Sequence, residues 1–360
     1  MKKLFLSVLM AFLVSSASMP VTVLADDSVD STAGSQLGSD IDNLIAQKGY
    51  SGTLLVIQDG KPVYLTSRGH ADFSAGTYNN KDTAYEIDSV QKVMTAAMIM
   101  KLVQENKLSL SDKLSKFYPE VPNSQNISIR QMLDMTSGLT MGDAGPNQVL
   151  SDPDIIKADI SKIHFLRLYY NKWNYQPINF NLLSGILEQV TGKSYEKLFE
   201  ETYVKKLKLK HTIFAYNQRS GLLKATGYNN IDPLSSKLDY KNAFDYKKYF
   251  EYDELGTGQV YMSAYDLYKT EKYIATGSML TEKSRETLFT PGSSSTYGGG
   301  MYHLKNDNFA NGWGYGYQAV VHLSDDGNNA VIALQNYSRT AADAKPMVSQ
   351  IYKMVQTEKY

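Results

Sequence analysis

The stretch Tyr-Glu-Ile-Asp-Ser-Val-Gln-Lys at residues 85–92, continued by Val-Met-Thr-Ala-Ala-Met-Ile-Met-Lys-Leu-Val-Gln-Glu-Asn-Lys at residues 93–107, decides the fold. Asp88 and Ser89 are residues of the kind that caps helices, and a run of good helix formers follows them. Apolar residues recur in this run at helical spacing, at Val93, Ala96, Ala97, Met100 and Val103. The stretch therefore predicts a largely buried helix that begins at about Ser89.

Ser89 and Lys92 lie three positions apart, which on a helix places their Cβ atoms roughly 5–6 Å from each other. A serine hydroxyl is a weak nucleophile until a base takes its proton, and a lysine is such a base only when its ammonium form is disfavoured. The buried start of a helix opposes a cation, both by burial and through the positive end of the helix dipole. In isolation, however, Ser-x-x-Lys more often marks a capping serine followed by a solvated lysine.

The N-terminal residues have the pattern of a secretory signal. Two lysines within residues 1–3 precede an apolar run at 4–14, and a small-residue Val-Leu-Ala tripeptide at 23–25 precedes two aspartates. We expect export with cleavage after this tripeptide. The alternative is an uncleaved membrane anchor, because residues 4–25 are nearly long enough to span a bilayer. Residues 26–40 are rich in Ser, Asp, Gly and Thr and predict a flexible spacer.

The composition excludes several classes of protein. The 37 basic residues balance the 37 acidic ones without a dense basic block, which argues against a nucleic-acid partner. Cysteine is absent, so disulfides and lipid attachment through cysteine are impossible. The five histidines are widely spaced, and we expect neither a metal site nor a cofactor. The 27 tyrosines favour packing at a wet surface over a saccharide-binding or polymer-binding groove.

The first half of the chain contains several local folding signals. Residues 41–48 predict a short helix, and residues 52–69 predict a β-hairpin that turns at Asp59-Gly60. Beyond residue 126 the pattern becomes mainly helical. A helix there is expected to be closed by Gly138, and another is predicted at 180–191.

The last hundred residues predict the return of β structure. Residues 315–323 and 330–336 flank Asp-Asp-Gly-Asn at 325–328, which is a strong hairpin signal, and a final helix is expected at 340–355. With 360 residues and 42% apolar composition, the chain is long enough for one large domain, with or without an insertion. The expected organisation is an α/β part at 41–125 and 256–360 and a mainly helical insertion at 126–255.

The run from Ile87 to Leu114 resembles the nucleophile helix and following loop of the penicillin-recognising serine hydrolases. The similarity is to the branch that contains class C β-lactamases, D-alanyl carboxypeptidases and related esterases, and it extends from about Ile41 to the C-terminus. This resemblance implies a β-lactamase/transpeptidase-like α/β fold, with an antiparallel sheet flanked by helices and a mainly helical second subdomain. It also implies that Ser89 is the nucleophile and Lys92 the proton acceptor.

Residues 173–183 resemble the second motif of this family, Tyr-x-Asn followed by the start of a helix. Tyr175 falls on the catalytic tyrosine, whose phenol would exchange a proton near the lysine and protonate the leaving group. The alternative is a packing tyrosine. Pro177 stands where the motif has its asparagine, and proline has neither a side-chain amide nor a backbone N–H. Amide recognition at this substrate-binding position is therefore expected to be altered.

Ala310-Asn311-Gly312-Trp313 resembles the third motif, in which a basic residue precedes x-Gly on the strand beside the site. Ala310 replaces the basic residue. The backbone N–H groups of Ser89 and Trp313 would still form the oxyanion hole, because they do not depend on side chains. Asn311, Gly312 and Trp313 are the expected substrate contacts on this strand, and the alternative is simply a glycine-rich strand edge.

The altered third motif points to a substrate. The resemblance implies that the missing basic residue pairs with a substrate carboxylate, and losing such a partner costs on the order of 1.5–3 kcal/mol. A D-alanyl ester on teichoic acid has a free ammonium and no carboxylate, so it suits this site. We therefore expect an exported serine esterase at the outer face of the cell envelope that removes D-alanine from teichoic or lipoteichoic acid.

Two alternatives remain open at this stage. The first is a D,D-carboxypeptidase acting on peptidoglycan stem peptides, or a weak β-lactamase, in which another residue replaces the missing cation. The second is a non-catalytic envelope-binding homologue. The presence of Ser89, Lys92 and Tyr175 counts against that second alternative, whereas Pro177 and Ala310 count for it.

Overall fold

The computed structural model describes residues 36–357 apart from 143–144, 146, 231, 233, 236 and 339–341. The helices of this part are α1 Gln36–Lys48, α2 Gln91–Gln104, α3 Ile129–Leu133, α4 Asp152–Ile160, α5 Ile178–Thr191, α6 Tyr195–Phe199, α7 Phe250–Asp253, α8 Ala264–Thr276, α9 Glu282–Phe289 and α10 Ala344–Thr357. Two 3₁₀ turns lie at Asp88–Val90 and Leu114–Lys116, and a six-residue π-helix follows α6 at Glu200–Lys205.

Five of the longer strands, each of six to eight residues, pair next to one another in the largest sheet. The strands are β1 Gly52–Gln58, β2 Lys61–Arg68, β3 His70–Asp72, β4 Thr77–Tyr78, β5 Tyr85–Glu86, β6 Ser137–Thr140, β7 His164–Tyr170, β8 Thr212–Phe214, β9 Tyr228–Asn229, β10 Val260–Met262, β11 Tyr297–Gly298, β12 Met301–Leu304, β13 Asp307–Gly314, β14 Tyr317–Leu323, β15 Ala330–Gln335 and β16 Tyr337–Ser338. Seven of them form an antiparallel sheet in the order β11-β12-β13-β14-β15-β1-β2.

Helices cover both faces of this sheet, which confirms the predicted fold class. Every residue of β1 is buried, because alternate side chains enter different cores. Leu54 and Val56 pack with α1 and α10 on one face, whereas Leu55 and Ile57 belong to the larger core on the other face. Helix α8 packs against β1 and β15 on that second face, and α2 packs in turn against α8.

Both predicted hairpins are confirmed. Strands β1 and β2 pair around Asp59 and Gly60, which have φ angles of 50° and 75°, as a two-residue hairpin turn requires. Strands β14 and β15 pair on either side of the predicted turn at 325–328. The segment 126–255 contains the five helices α3–α7 and the four short strands β6–β9 among its described residues.

Two expectations, one at the start of α1 and one after α3, are wrong. The signal at 1–25 and most of the spacer lie outside the described residues, but residues 36–40 of the spacer belong to α1. The reason is that Leu37 continues the buried stripe of Ile41 and Ile45 by one helical turn. Gly138 does not close a helix: α3 ends at Leu133, and Gly138 lies in β6. Its φ of 77° permits a close approach to β7, where an added Cβ would lie 2.8 Å from the Phe165 ring.

Helix α2 is as buried as its sequence predicts, since all ten residues from Gln91 to Met100 are buried. It begins, however, with a short 3₁₀ turn at Asp88–Val90. The expectation that Asp88 caps this helix is wrong, because its carboxylate oxygens are enclosed and accept no hydrogen bond among the described residues. No helix within 36–357, the gaps aside, combines the length and the apolar character needed to cross a bilayer.

Glu271 on α8 is a buried carboxyl group whose pKa makes the stability of the fold depend on pH. Burial raises the pKa of Glu271 from its ordinary 4.5 to about 8, and one of its carboxyl oxygens accepts no hydrogen bond from the described residues. The folded protein therefore binds this proton more tightly than the unfolded chain. The resulting stabilisation is complete below pH 4.5 and is lost as the pH rises toward 8.

We expect Glu271→Gln to raise the free energy of unfolding at pH 8 by on the order of 2–4 kcal/mol and to change it little at pH 4.5. Chemical denaturation at the two pH values measures this difference. Glu286→Gln on the exposed face of α9 is the matched control. An equal effect of Glu271→Gln at both pH values would contradict the prediction.

Candidate active site

The predicted proximity of Ser89 and Lys92 is confirmed. Lys92 Nζ donates a hydrogen bond of 2.8 Å to Ser89 Oγ. The turn at Asp88–Val90 leads directly into α2, so the two side chains lie one helical turn apart on the same face. Lys92 is only 1% exposed, whereas Ser89 is partly exposed. A hydroxyl that solvent can reach therefore contacts an amine that solvent cannot reach.

Tyr175 lies beside this pair. Lys92 Nζ is 5.4 Å from the centroid of the Tyr175 ring. The loop that carries Tyr175 is held on both sides of it, because the backbone N–H groups of Asn174 and Gln176 donate to the carbonyl oxygen and the sulfur of Met135. Met135 has a φ of 55° just after α3. The end of α3 thus fixes the loop that places Tyr175.

A cavity of about 270 Å³ opens next to Ser89. The residues that line it come from four separate segments and are Ser89, Tyr175, Tyr297, Gly300, Tyr302, Ala310, Asn311 and Trp313. Hydroxyl groups, aromatic rings and one amide form this lining. No charged side chain is among the described residues that line the cavity.

The third motif contributes to the cavity through Ala310, Asn311 and Trp313 of β13. Asn311 and Trp313 point to its more exposed face, and Trp313 is 45% exposed at the mouth. Gly312 does not line the cavity and instead allows β13 to approach the nucleophile turn. A Cβ at Gly312 would lie 2.2 Å from the Ile87 carbonyl oxygen and 2.9 Å from the Ser89 backbone nitrogen. Glycine at this position therefore holds Trp313 and Ser89 near each other.

Two other predicted positions have no charged or amide group to offer. Ala310 is 2% exposed, and no lysine, arginine or histidine of the described chain takes its place in the cavity lining. Pro177 is the N-cap of α5 and is not one of the lining residues. Lys345 on α10 lies near Trp313, and its Nζ is 5.7 Å from the Trp313 ring centroid.

The sequence interpretation missed three lining residues, Tyr297, Gly300 and Tyr302. Their signal is the run Tyr-Gly-Gly-Gly-Met-Tyr at 297–302, because consecutive glycines often mark a close approach of the backbone. Gly300 has a φ of 97°, and a Cβ there would lie 2.5 Å from the Val93 backbone nitrogen. The β11-β12 hairpin can therefore touch α2. This contact places the centroid of the Tyr297 ring 6.0 Å from the centroid of the Tyr175 ring.

The arrangement has the parts that acyl transfer requires. The Ser89 hydroxyl is hydrogen-bonded to the buried Lys92 amine, and the Tyr175 phenol lies beside them. The adjoining cavity is large enough for a small acyl group. Within the described part of the chain, no group of three or more acidic or histidine side chains is placed to hold a metal ion. The chemistry that these side chains support is nucleophilic and acid–base chemistry.

Comparisons with known proteins agree with this description. A family model described as Beta-lactamase matches residues 39–351. The protein PbpX of Bacillus subtilis (strain 168), which carries the name of a penicillin-binding protein, is 30% identical over 318 residues, covering 88% of this chain and 78% of PbpX. A teichoic acid D-alanine hydrolase of Staphylococcus aureus is 27% identical over 331 residues, covering 85% of this chain and 78% of that protein.

A solved structure shows the same fold. The crystal structure of FmtA from Staphylococcus aureus matches with a TM-score of 0.79 at 23% sequence identity, covering 94% of this chain and 91% of that one. The family model spans nearly all of the described residues, including the turn that carries Ser89 and the strand that carries Trp313. The chain therefore belongs to the β-lactamase family and has the fold of its serine hydrolases and penicillin-binding proteins.

Proposed function

We propose that this protein is a serine esterase of the cell envelope that removes D-alanine from D-alanylated teichoic or lipoteichoic acid. The observation that carries the proposal is the cavity beside Ser89, in which Ala310 stands where the family has a cation and none of the described lining residues has a charged side chain. Among its described lining residues, such a cavity offers no cationic partner to a substrate carboxylate. It imposes no like-charge repulsion from its lining on the free ammonium of a D-alanyl ester.

The proposed reaction begins with Ser89. Its oxygen attacks the ester carbonyl carbon while Lys92 Nζ, which lies 2.8 Å from Ser89 Oγ, accepts the hydroxyl proton. The backbone N–H groups of Ser89 and Trp313 would stabilise the tetrahedral oxyanion. The carbon–oxygen bond to the polyol then breaks, and Tyr175 delivers the proton to the departing alcohol. Water releases D-alanine from the acyl-serine by the same steps in reverse order.

Esters suit the altered motifs for a second reason. An alcohol leaves more readily than an amine, so an ester needs less stabilisation of its leaving group than an amide does. The motif's asparagine amide is replaced here by Pro177, which offers no hydrogen-bond donor. The similarity to a staphylococcal protein named for teichoic acid D-alanine hydrolysis supports the same substrate class.

The site of action follows from the substrate and the N-terminus. Teichoic acids lie outside the cytoplasmic membrane, so the enzyme must be exported to reach them. The pattern at residues 1–25 predicts that export, after which the enzyme is either released by cleavage or held at the membrane by an uncleaved anchor.

A D,D-carboxypeptidase or β-lactamase is the second candidate function. The 30% identity to PbpX favours it, and Lys345 at the cavity mouth is the nearby cation to which a substrate carboxylate could bind. Lys345 Nζ also lies 3.5 Å from Asp343 Oδ2, so this lysine already has a carboxylate partner. A substrate carboxylate would have to compete with that residue.

The test compares three substrates with the purified protein and its Ser89→Ala variant. The substrates are D-alanylated lipoteichoic acid, a stem peptide ending in D-Ala-D-Ala, and a fluorescent penicillin. We expect Ser89-dependent release of D-alanine from lipoteichoic acid at a rate at least about 10³-fold above that of the variant, and little turnover of the other two. Preferred cleavage of the peptide, or stable labelling by the penicillin, would favour the second candidate. Binding of lipoteichoic acid without any Ser89-dependent turnover would indicate a non-catalytic binding protein.

A further inference from the structure

The cavity beside Ser89 offers the ammonium of a D-alanyl ester no carboxylate among its described lining residues. In such an ester the ammonium nitrogen is two bonds from the carbonyl carbon that Ser89 attacks, which is a distance of about 2.5 Å. The ammonium therefore enters the same cavity as the carbonyl. An ammonium that leaves water without a favourable partner is strongly disfavoured, so groups other than carboxylates have to stabilise it there.

Aromatic rings form half of the cavity wall. Of its eight described lining residues, four are aromatic: Tyr175, Tyr297, Tyr302 and Trp313. The face of an aromatic ring is negative and attracts a cation that lies within roughly 6 Å of the ring centroid, and ammonium groups are the ligands most often recognised in this way. A cavity of about 270 Å³ is small enough to hold a cation at such a distance from the rings around it.

Two of these four rings already have a lysine beside them. Lys92 Nζ is 5.4 Å from the centroid of the Tyr175 ring, and Lys345 Nζ is 5.7 Å from that of the Trp313 ring. In the part of the chain that the structure describes, no lysine or arginine is placed in this way over either of the other two rings. These other two rings are therefore the part of the wall that best suits the ammonium of a substrate.

Tyr302, one of these two residues, is held in position by other rings. It pairs with Tyr297 in the β11-β12 hairpin, and the two ring centroids are 5.1 Å apart. The ring centroids of Trp173 and Phe309 lie 6.3 Å and 5.8 Å from that of Tyr302. A ring that is packed against three others loses little freedom when a ligand binds to it. Burial also raises the pKa of Tyr302, so its phenol is neutral at physiological pH.

Tyr297 provides an independent indication of a ligand. It is only 1% exposed although it lines the cavity, and its hydroxyl has no hydrogen-bond partner among the described residues. Almost all buried hydroxyl groups in folded proteins have a partner, so an unpartnered one in a cavity wall points to a bound ligand or water molecule. Burial raises the pKa of Tyr297 well above its usual range, which keeps this phenol neutral as well.

We propose that Tyr297 and Tyr302 form the subsite for the ammonium group of the acyl substrate and bind it through their aromatic rings. The subsite selects aminoacyl esters over uncharged acyl esters of the same shape. This inference rests on the proposed function, because the ammonium enters the cavity only when an aminoacyl ester is bound for attack by Ser89.

The test compares the D-alanyl and D-lactyl esters of glycerol, which share the leaving alcohol and differ only in an ammonium or a hydroxyl beside the carbonyl. The measured quantity is the ratio of kcat/KM for the D-alanyl ester to kcat/KM for the D-lactyl ester. We expect Tyr302→Leu to lower this ratio by about three- to thirtyfold, because the attraction between the cation and the ring is lost. Tyr302→Phe keeps the ring and should keep the ratio within about twofold of the wild type.

A tyrosine that does not line the cavity is the matched control. Tyr265 on α8 is 44% exposed, and Tyr265→Leu should leave the ratio unchanged. An unchanged ratio in Tyr302→Leu overturns the inference even if both rates fall, because the ring would then serve a group that the two esters share. An equal fall of the ratio in Tyr302→Phe also overturns it, since the hydroxyl and not the ring would then bind the ammonium.

Competition in the wild-type protein decides the matter if Tyr302→Leu does not fold. D-Alaninol has the ammonium, and (R)-propane-1,2-diol has a hydroxyl in its place. D-Alaninol should inhibit hydrolysis of the D-lactyl ester at a concentration at least about fivefold lower, and equal inhibition by the two compounds overturns the inference. Absence of Ser89-dependent turnover of both esters in the wild type would reject the proposed nucleophile itself and is thereby distinguished from a failure at Tyr302.

Discussion

Replacing Lys92 with methionine is expected to reduce kcat/KM for D-alanine release by roughly 10²–10⁴-fold while the protein remains folded. Lys92 Nζ contacts Ser89 Oγ at 2.8 Å, and methionine leaves the hydroxyl without a base. The fold should tolerate the change, because methionine fills a similar volume and removes a buried amine from a site that is 1% exposed. Steady-state kinetics and a thermal denaturation curve measure the two effects separately.

The control for this change lies on the same helix. Lys101 is partly exposed and pairs with Glu105 at 3.3 Å, so Lys101→Met removes a lysine from α2 without touching the site. Its activity should stay within about twofold of the wild type. A Lys92→Met enzyme that keeps more than about a tenth of the wild-type kcat/KM would show that another group takes the Ser89 proton.

Ala310→Lys is expected to reverse the substrate preference. A lysine at this position would return a cation to the cavity wall, where it attracts a substrate carboxylate and repels the ammonium of a D-alanyl ester. A charge-assisted pair is worth about 1.5–3 kcal/mol, so the ratio of kcat/KM for a D-Ala-D-Ala peptide to that for the ester should rise by roughly 100-fold. The measurement is competition between the two substrates in one reaction mixture.

Size must be separated from charge in this experiment, because Ala310 is 2% exposed and any longer side chain has to extend into the cavity. Ala310→Met has a similar length and no charge. It should lower kcat/KM for both substrates without changing their ratio. The same ratio in the lysine and methionine variants would mean that charge at this wall does not select the substrate.

The local elements of this protein could be predicted from short patterns. The hairpin turn at Asp59-Gly60 and the helix after Ser89 depend on residues close together in the chain, and both form as expected. The contact between Ser89 and Lys92 belongs to the same class, because one helical turn brings them together whatever surrounds the helix. The family motifs added Tyr175, Asn311 and Trp313, which line one cavity.

Other features depend on contacts between distant segments. The sequence presented Asp88 as a helix cap, but β13 passes over its side chain, and its carboxylate oxygens accept no hydrogen bond from the described residues. Gly138 had the position of a helix C-cap, yet it serves the close contact of β6 with β7. Tyr297 and Tyr302 reach the cavity because Gly300 lets their hairpin touch α2.

The sequence by itself determined the family and the fold class, through motifs that resemble those of known serine hydrolases. It also determined the pairing of a hydroxyl with an amine, because one helical turn brings residues three positions apart together. Only the tertiary structure decided which groups surround that pair. The wall at Ala310, where the described residues place no charged side chain, and the tyrosine-lined rim arise where four segments far apart in the chain pack together, and no local pattern specifies such packing.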